Sequence, residues 1–242
     1  FQPKVDLASG YICGAEALAR WRLPNGRLVS PSVFIELAEE TGQISRIGAQ
    51  IMRKACLEAV QWTQFGQPVS LAVNVSPRQF ERAGLDQMVL DALAKSGLPP
   101  RLLEIEITES LAIQQPEKVA SVVAPLKALG IKLAVDDFGT GHSNLATLTK
   151  HAFDVFKVDR QFVSGTPDDA QANAIVEMML GMGNTLNLQI VGEGIETQEQ
   201  AEFLAEHGCH IGQGYLYSPP VTGQAFLKML REQPFVKRPI SA

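Results

Sequence analysis

Two rhythms of apolar and polar positions alternate along the 242 residues. Short apolar runs of strand length fall at 1–7, 11–21, 69–75, 102–107, 131–135, 154–158, 188–191 and 209–212. Between them, apolar positions recur at helical spacing over 34–40, 47–65, 116–129, 168–186, 198–207 and 224–231. In 47–65 the inward positions are Ile47, Ile51, Ala55, Val60 and Trp62. Another helix runs from Ser76-Pro77 to about Lys95, with serine as cap and proline in the first turn. Only Ala8-Ser9-Gly10 separates the first two strands, too short a link for a parallel crossover, so that pair is antiparallel. The later strands are each followed by a helix, which argues for parallel α/β packing. Eight strands in a chain of this length close into a barrel more readily than they spread into an open sheet. The fold expected is therefore a modified (β/α)8 TIM-type barrel with one antiparallel strand near the N-terminus. No repeat or linker divides it, so 1–242 reads as one domain.

The polar residues that interrupt these runs sit where barrel chemistry belongs. Glu16, Asn74, Glu106, Asp136, Asp137, Lys157, Glu193 and Gln213 lie in or at the ends of successive strands, and a barrel gathers its strand ends at one rim. Asp136 and Asp137 are adjacent carboxylates that repel unless a cation or a shared proton offsets them. Five acids and an amide oxygen form a hard-oxygen set suited to Mg2+ or Mn2+ and poor for zinc. Two such ions can bridge a phosphate, activate water and stabilise a leaving oxygen. A single acid at a strand end is ordinarily a solvated rim residue; six or more at successive ends are not. Glu104 is assigned to the opposite face, out of the bowl, with a structural role.

Composition narrows the partners. Net charge is −5, and no basic stripe favours a nucleic-acid polymer. Apolar content of 45% and mean hydropathy of +0.03 describe an ordinary globular chain, and no apolar run is long enough for a membrane span, so no membrane contact is expected of this segment. Cys13, Cys56 and Cys209 are too scattered for a zinc or disulfide framework, which fits a reducing, cytoplasmic compartment. The histidines His142, His151, His207 and His210 share no ligand spacing. The chain opens on Phe1 rather than Met, so it is expected to be a domain of a longer protein.

The residues also carry a resemblance. Glu16-Ala17-Leu18 stands inside GAEALARW, accompanied by FQPKVDL, FIELAEETG, NVS, EITES, DDFGTG, KVD, EGIE and QGY. Together they resemble the EAL domain, a family of bacterial cyclic-di-GMP phosphodiesterases, over essentially the whole chain. The resemblance implies a (β/α)8 barrel with one antiparallel strand, and hydrolysis of one phosphodiester of cyclic-di-GMP to linear pGpG. It implies that Glu16, Asn74, Glu106 and Asp136 ligate a metal, with Asp136 and Asp137 serving a second ion. Lys157 and Glu193 would position or deprotonate the water, Gln213 would hold it or its metal, and Glu109 and Glu196 would brace the loop and the site. Gln2, Leu18 and Arg20 match nucleotide contacts. A homodimer and upstream sensory or regulatory domains are implied as well. Ca2+, larger and more loosely coordinated, is expected to support binding and inhibit hydrolysis.

Departures from the family pattern centre on the loop after Asp137, where His142 replaces tyrosine and Asn144 replaces serine. KVD for KID, EGIE for EGVE, and Leu23 for histidine are conservative or peripheral. Two rival functions stand beside this one: a receptor that binds cyclic-di-GMP without cleaving it, and an enolate-forming barrel lyase. Filled ligand positions weigh against the first. The second lacks the paired lysines or histidine of a proton-abstracting base.

Overall fold

The computed structural model describes residues 1–66, 68–82, 84–139 and 153–233, with the backbone alone at Asp137. Its strands are β1 (Gln2–Asp6), β2 (Ile12–Ala17), β3 (Trp21–Arg22), β4 (Leu28–Val29), β5 (Ser70–Asn74), β6 (Leu103–Thr108), β7 (Lys132–Phe138), β8 (Val155–Val158), β9 (Gln189–Gly192) and β10 (Ile211–Gly212). Eight of them close in the order β1, β10, β9, β8, β7, β6, β5, β2, while β3 and β4 form a separate ribbon. β1 runs antiparallel to both of its neighbours, and every other barrel pairing is parallel.

The reversal begins in a tight local turn. Ser9 donates to Asp6 Oδ1 from its backbone N at 2.8 Å and from its hydroxyl at 2.6 Å. Gly10, at φ +74°, then returns the chain. Because β1 runs against the rest, its first residues lie at the rim where the parallel strands end. Gln2 is opposite Glu16, and Lys4 is opposite Gly14 one layer lower.

Two apolar layers hold the barrel. Outside, Ile105, Ile107, Leu133, Val135 and Phe156 pack with helix residues such as Val123 and Leu180 in one core. Inside, Ala134, Val155, Val191 and Ile211 form a small apolar floor. The next inward positions along those strands are Asp136, Lys157, Glu193 and Gln213, so the interior changes from apolar to charged within two residues of chain.

The structure departs from the sequence pattern in its connections. The apolar run 11–21 is a strand only to Ala17, because Trp21 turns away into the ribbon and packs edge-on against Phe34. The helix expected from Ser76 is two helices, Pro77–Glu81 and Leu85–Ser96, parted next to Gly84 at φ +96°. Ser76 does cap the first, in a reciprocal box with Gln79. The segment 47–65 begins as a helix at Ile44 and tightens to a 3-10 helix over Val60–Phe65. Within it, Ala55 and Trp62 are buried whereas Ile47, Ile51 and Val60 are only half-buried.

Cys13, Cys56 and Cys209 are free, and burial pushes each thiol up to about 12, so none is poised as a thiolate. Among the described residues, no helix is long and apolar enough to cross a membrane.

Candidate active site

Consecutive strands deliver the polar residues to one rim. Glu16 comes from β2, Asn74 from β5, Glu106 from β6, Asp136 from β7 and Lys157 from β8. Glu193 and Gln213 lie just past β9 and β10, yet their backbone N–H groups continue the ladder, to Val158 O at 3.0 Å and Gly192 O at 2.8 Å. The two loops that follow are locked together. Ile195 N donates to Gln213 O at 3.1 Å, and Leu216 N donates to Ile195 O at 3.0 Å. A side chain at Gly214 would overlap the Ile195 backbone, so the lock requires glycine.

Lys157 is the hub, with 1% of its surface exposed. Its ammonium stands 2.8 Å from Glu193 Oε1, 3.0 Å from Glu106 Oε2, 3.1 Å from Asp136 Oδ1 and 3.7 Å from Glu16 Oε2. Glu16 is held on its other flank. Asn74 Nδ2 donates to Oε1 at 2.6 Å and Gln213 Nε2 to Oε2 at 2.7 Å. Gln2 sits within 3.3 Å of that Gln213 nitrogen through Oε1, and its own Nε2 donates to Ser218 O at 3.3 Å. Gln213 Oε1 is buried with no partner among the described residues.

The charges are unevenly satisfied. Burial disfavours ionisation of Glu106, but Lys157 and then Lys4 outweigh it and hold the carboxyl down at about 2. Burial and the negative charge of Glu106 push Glu16 up instead. Glu193 is raised by burial to about 8, with Asp136 and Glu16 adding to the shift against the pull of Lys157. Burial opposes the Lys157 charge, yet the surrounding carboxylates, Glu106 foremost, carry it well above the lysine range. One ammonium therefore does not saturate this bowl: two of its acids still favour a proton or a further cation.

That surplus of negative charge suits a divalent ion. Among the described residues, no three His, Cys, Asp or Glu side chains stand as a preformed cage, because the acids are turned onto Lys157. The donors are nonetheless all oxygen, the carboxylates are in excess, and the orphaned Gln213 oxygen is one more acceptor without a donor. This set fits a hard cation of the magnesium class. The side chain of Asp137 lies outside the described residues.

The remaining predicted residues surround this centre. Gln2, Glu16, Leu18, Asp136, Lys157, Glu193, Glu196 and Gln213 line a cleft of about 280 Å3. Glu109 is buried, and its Oε2 accepts from Gly139 N at 2.9 Å, fixing the base of the loop after β7. Residues 140–152 of that loop, His142, Asn144 and His151 included, lie outside the described residues. Glu196 pairs with Arg160 at 3.0 Å on the exposed lip. Arg20 does not line this cleft; it faces a larger apolar groove beside it, bounded by Phe1, Trp21, Phe34 and Leu37.

Glu104 requires a correction. Residues two apart on a strand share a face, so Glu104 points inward beneath Glu106 rather than away from the bowl. It is 4% exposed and meets Lys4 at 2.7 Å. Lys4 had escaped the sequence reading, although a lysine two places after Gln2 in an apolar strand carries the needed signal. Arg160 and the exposed Tyr215, which also line the cleft, were missed too.

Comparison with known proteins follows the same outline. The EAL domain family model matches residues 1–220. The bifunctional diguanylate cyclase/cyclic di-GMP phosphodiesterase MucR of Pseudomonas aeruginosa is 39% identical over 228 residues, 94% of this chain and 33% of that protein. The cyclic di-GMP phosphodiesterase NbdA of the same organism is 36% identical over 240 residues, 99% of this chain and 31% of NbdA. The chain thus spans about a third of the length of these relatives. The solved MucR phosphodiesterase in complex with c-di-GMP superposes with a TM-score of 0.88, covering 93% of this chain and 92% of that one. Klebsiella pneumoniae BlrP1, solved with cyclic di-GMP and either calcium or manganese, is 30% identical with a TM-score of 0.80 over 92% of this chain and 55% of BlrP1.

Proposed function

The chain belongs to the EAL-domain family, and on that premise we propose that it hydrolyses one phosphodiester of cyclic-di-GMP to linear pGpG with Mg2+ or Mn2+ in the rim bowl. One observation carries the reading: Glu16, Glu106, Asp136 and Glu193, from four different strand ends, converge within 3.7 Å of the single Lys157 ammonium. Such a bowl accepts a cation and a phosphate together; an inert barrel has no use for it.

Glu16, Asn74, Glu106 and Asp136 would hold one ion, and Asp136 with Asp137 a second. When bound, the ions supply positive charge to the phosphate and make a water molecule acidic near neutral pH. The protein groups do the rest. Glu193, which burial raises to about 8 in the metal-free protein, would be ionised by the charge of the bound ions and could then accept the proton of the water at a carboxylate oxygen. Lys157 Nζ, fixed between Glu193 and Glu106, keeps that carboxylate oriented and faces the developing phosphate charge. Gln213, buried and bonded to Glu16, would offer its free amide oxygen to the water or its metal. Gln2 and Leu18 line the cleft as nucleotide contacts, and Arg20, in the adjoining groove, is a third. Glu109 and Glu196 brace the neighbouring loops. Further domains of a sensory or regulatory kind on the same polypeptide belong to this proposal, since MucR and NbdA are about three times as long.

The test is product analysis by chromatography of cyclic-di-GMP incubated with Mg2+, Mn2+, Ca2+ or chelator. pGpG should accumulate with Mg2+ and Mn2+ alone, and added Ca2+ should suppress it. Tight nucleotide binding with no linear product under any ion would overturn the hydrolase in favour of a receptor.

A further inference from the structure

Glu106 is gripped from two sides, and only one of the two grips belongs to the chemistry described above. Lys157 holds Oε2 at 3.0 Å from the direction of β8. Lys4 holds Oε1 at 2.8 Å from β1, across the barrel interior, and meets Glu104 Oε1 at 2.7 Å with the same ammonium. Lys4, Glu104 and Glu106 are 2%, 4% and 0% exposed.

The reversed direction of β1 makes this possible. Gln2 reaches the rim, which leaves Lys4 one layer down and aimed at the underside of Glu106. At that depth it does not line the cleft. Packing alone does not call for an ion pair here, since the floor of the same barrel is filled by Ala134, Val155, Val191 and Ile211. Exchanging a buried pair for apolar residues is often neutral or stabilising.

Building on the hydrolase reading above, we propose that Lys4, braced by Glu104, is a positioning residue that occupies one oxygen of Glu106 and leaves only the other to the bowl. Glu106 then offers one oxygen to an incoming cation, in a fixed orientation. Without Lys4 the carboxylate is free to swing or to present both oxygens. Removing partners of this kind, which orient a ligand, typically costs about 10- to 100-fold in metal affinity or activity.

The experiment compares the parent, Lys4→Met and the double variant Lys4→Met/Glu104→Met. Mn2+ affinity is read by titration calorimetry, metal-free melting by circular dichroism, and kcat and KM with Mn2+ and cyclic-di-GMP. Lys4→Met should weaken Mn2+ binding about 10- to 100-fold and lower kcat, with KM for the nucleotide held within about twofold. The single variant also strands the buried Glu104 carboxylate and Oε1 of Glu106, while Lys157 still holds Oε2, and so melts lower or fails to fold. The double variant removes one of them; it should recover melting while keeping the weakened Mn2+ binding. A folded double variant with parental Mn2+ affinity would show that the pair only fills space, and would overturn the proposal. So would a parent that binds no Mn2+. A parent that binds Mn2+ but yields no pGpG overturns the hydrolase instead, and the affinity comparison still decides the role of Lys4.

Discussion

Among single residues, Glu193 gives the sharpest forecast. Its carboxyl is raised by burial to about 8 in the metal-free protein; under the proposed mechanism it would take the proton of the water, which an amide in its place could not. Glu193→Gln should reduce turnover roughly 10²- to 10⁴-fold. The same change removes a buried acid that resists ionisation, so melting at pH 8 should hold or rise. Steady-state kinetics and thermal melting on the same preparation check both, and a variant within threefold of the parent rate rules out the proton role. Which residues gather at the rim was largely visible in the chain, because strand ends converge there and those ends carry polar residues in an apolar context. Lys4 and Glu104 were the gap. Both lie inside strands rather than at their ends, and only the direction of β1 shows that a residue so near the N-terminus reaches beneath Glu106. Gln213 was assigned to the water or its metal, but nothing in the sequence foretold its bond to Glu16 at 2.7 Å.

At the level of elements, the eight strands and the reversed first pair followed from apolar run lengths and from a three-residue link. The connections were harder, since a propensity pattern does not register a left-handed glycine. Gly84, at φ +96°, splits what reads as one helix from Ser76 onward. Trp21 looks like the end of a strand by composition, but it leaves the barrel because Phe34 offers it an apolar face. The loops after β9 and β10 show how much one small residue can carry. Gly214 lets Gln213 O and Leu216 N both bond Ile195, in the loops that set Glu193 against Lys157 and Gln213 against Glu16. Gly214→Ala must push two backbones apart and should cost about 1–3 kcal/mol, as overpacking does. At about 2–4 °C per kcal/mol for a chain of this size, the midpoint should fall by several degrees, and turnover should fall further than the melting loss alone implies. An alanine variant with parental melting and parental rate would show that the two loops are not coupled through this contact.

Taken whole, the molecule is a barrel whose interior charge is deliberately unbalanced, and that imbalance should appear as a linkage between pH and metal. The signs follow from two acids. Glu106 is held near 2 against an ordinary 4.5, so its contribution to stability is complete above about 4.5 and is lost as pH falls through 2. Glu193 is raised to about 8, so its contribution is complete below about 4.5 and is lost as pH rises through 8. Between pH 5 and 8 the first is constant and the second declines, so these two groups make the metal-free protein less stable toward alkaline pH. A bound divalent cation reverses the second trend. If the proposed ions bind, they should favour the ionised acids and displace the proton that burial retains at Glu193. The melting increment produced by Mg2+ or Mn2+ should therefore grow from pH 5.5 to pH 8. An ion at about 100 times its dissociation constant contributes about 2.7 kcal/mol, or several degrees of midpoint, and chelator should remove it. Ca2+ should give a similar increment without turnover, since its oxygen preference matches the donors while its coordination is looser. Melting curves at the two pH values, with each ion and with chelator, measure the effect directly. An increment that is flat or shrinks toward pH 8 would mean that the cation does not draw on the acids around Lys157.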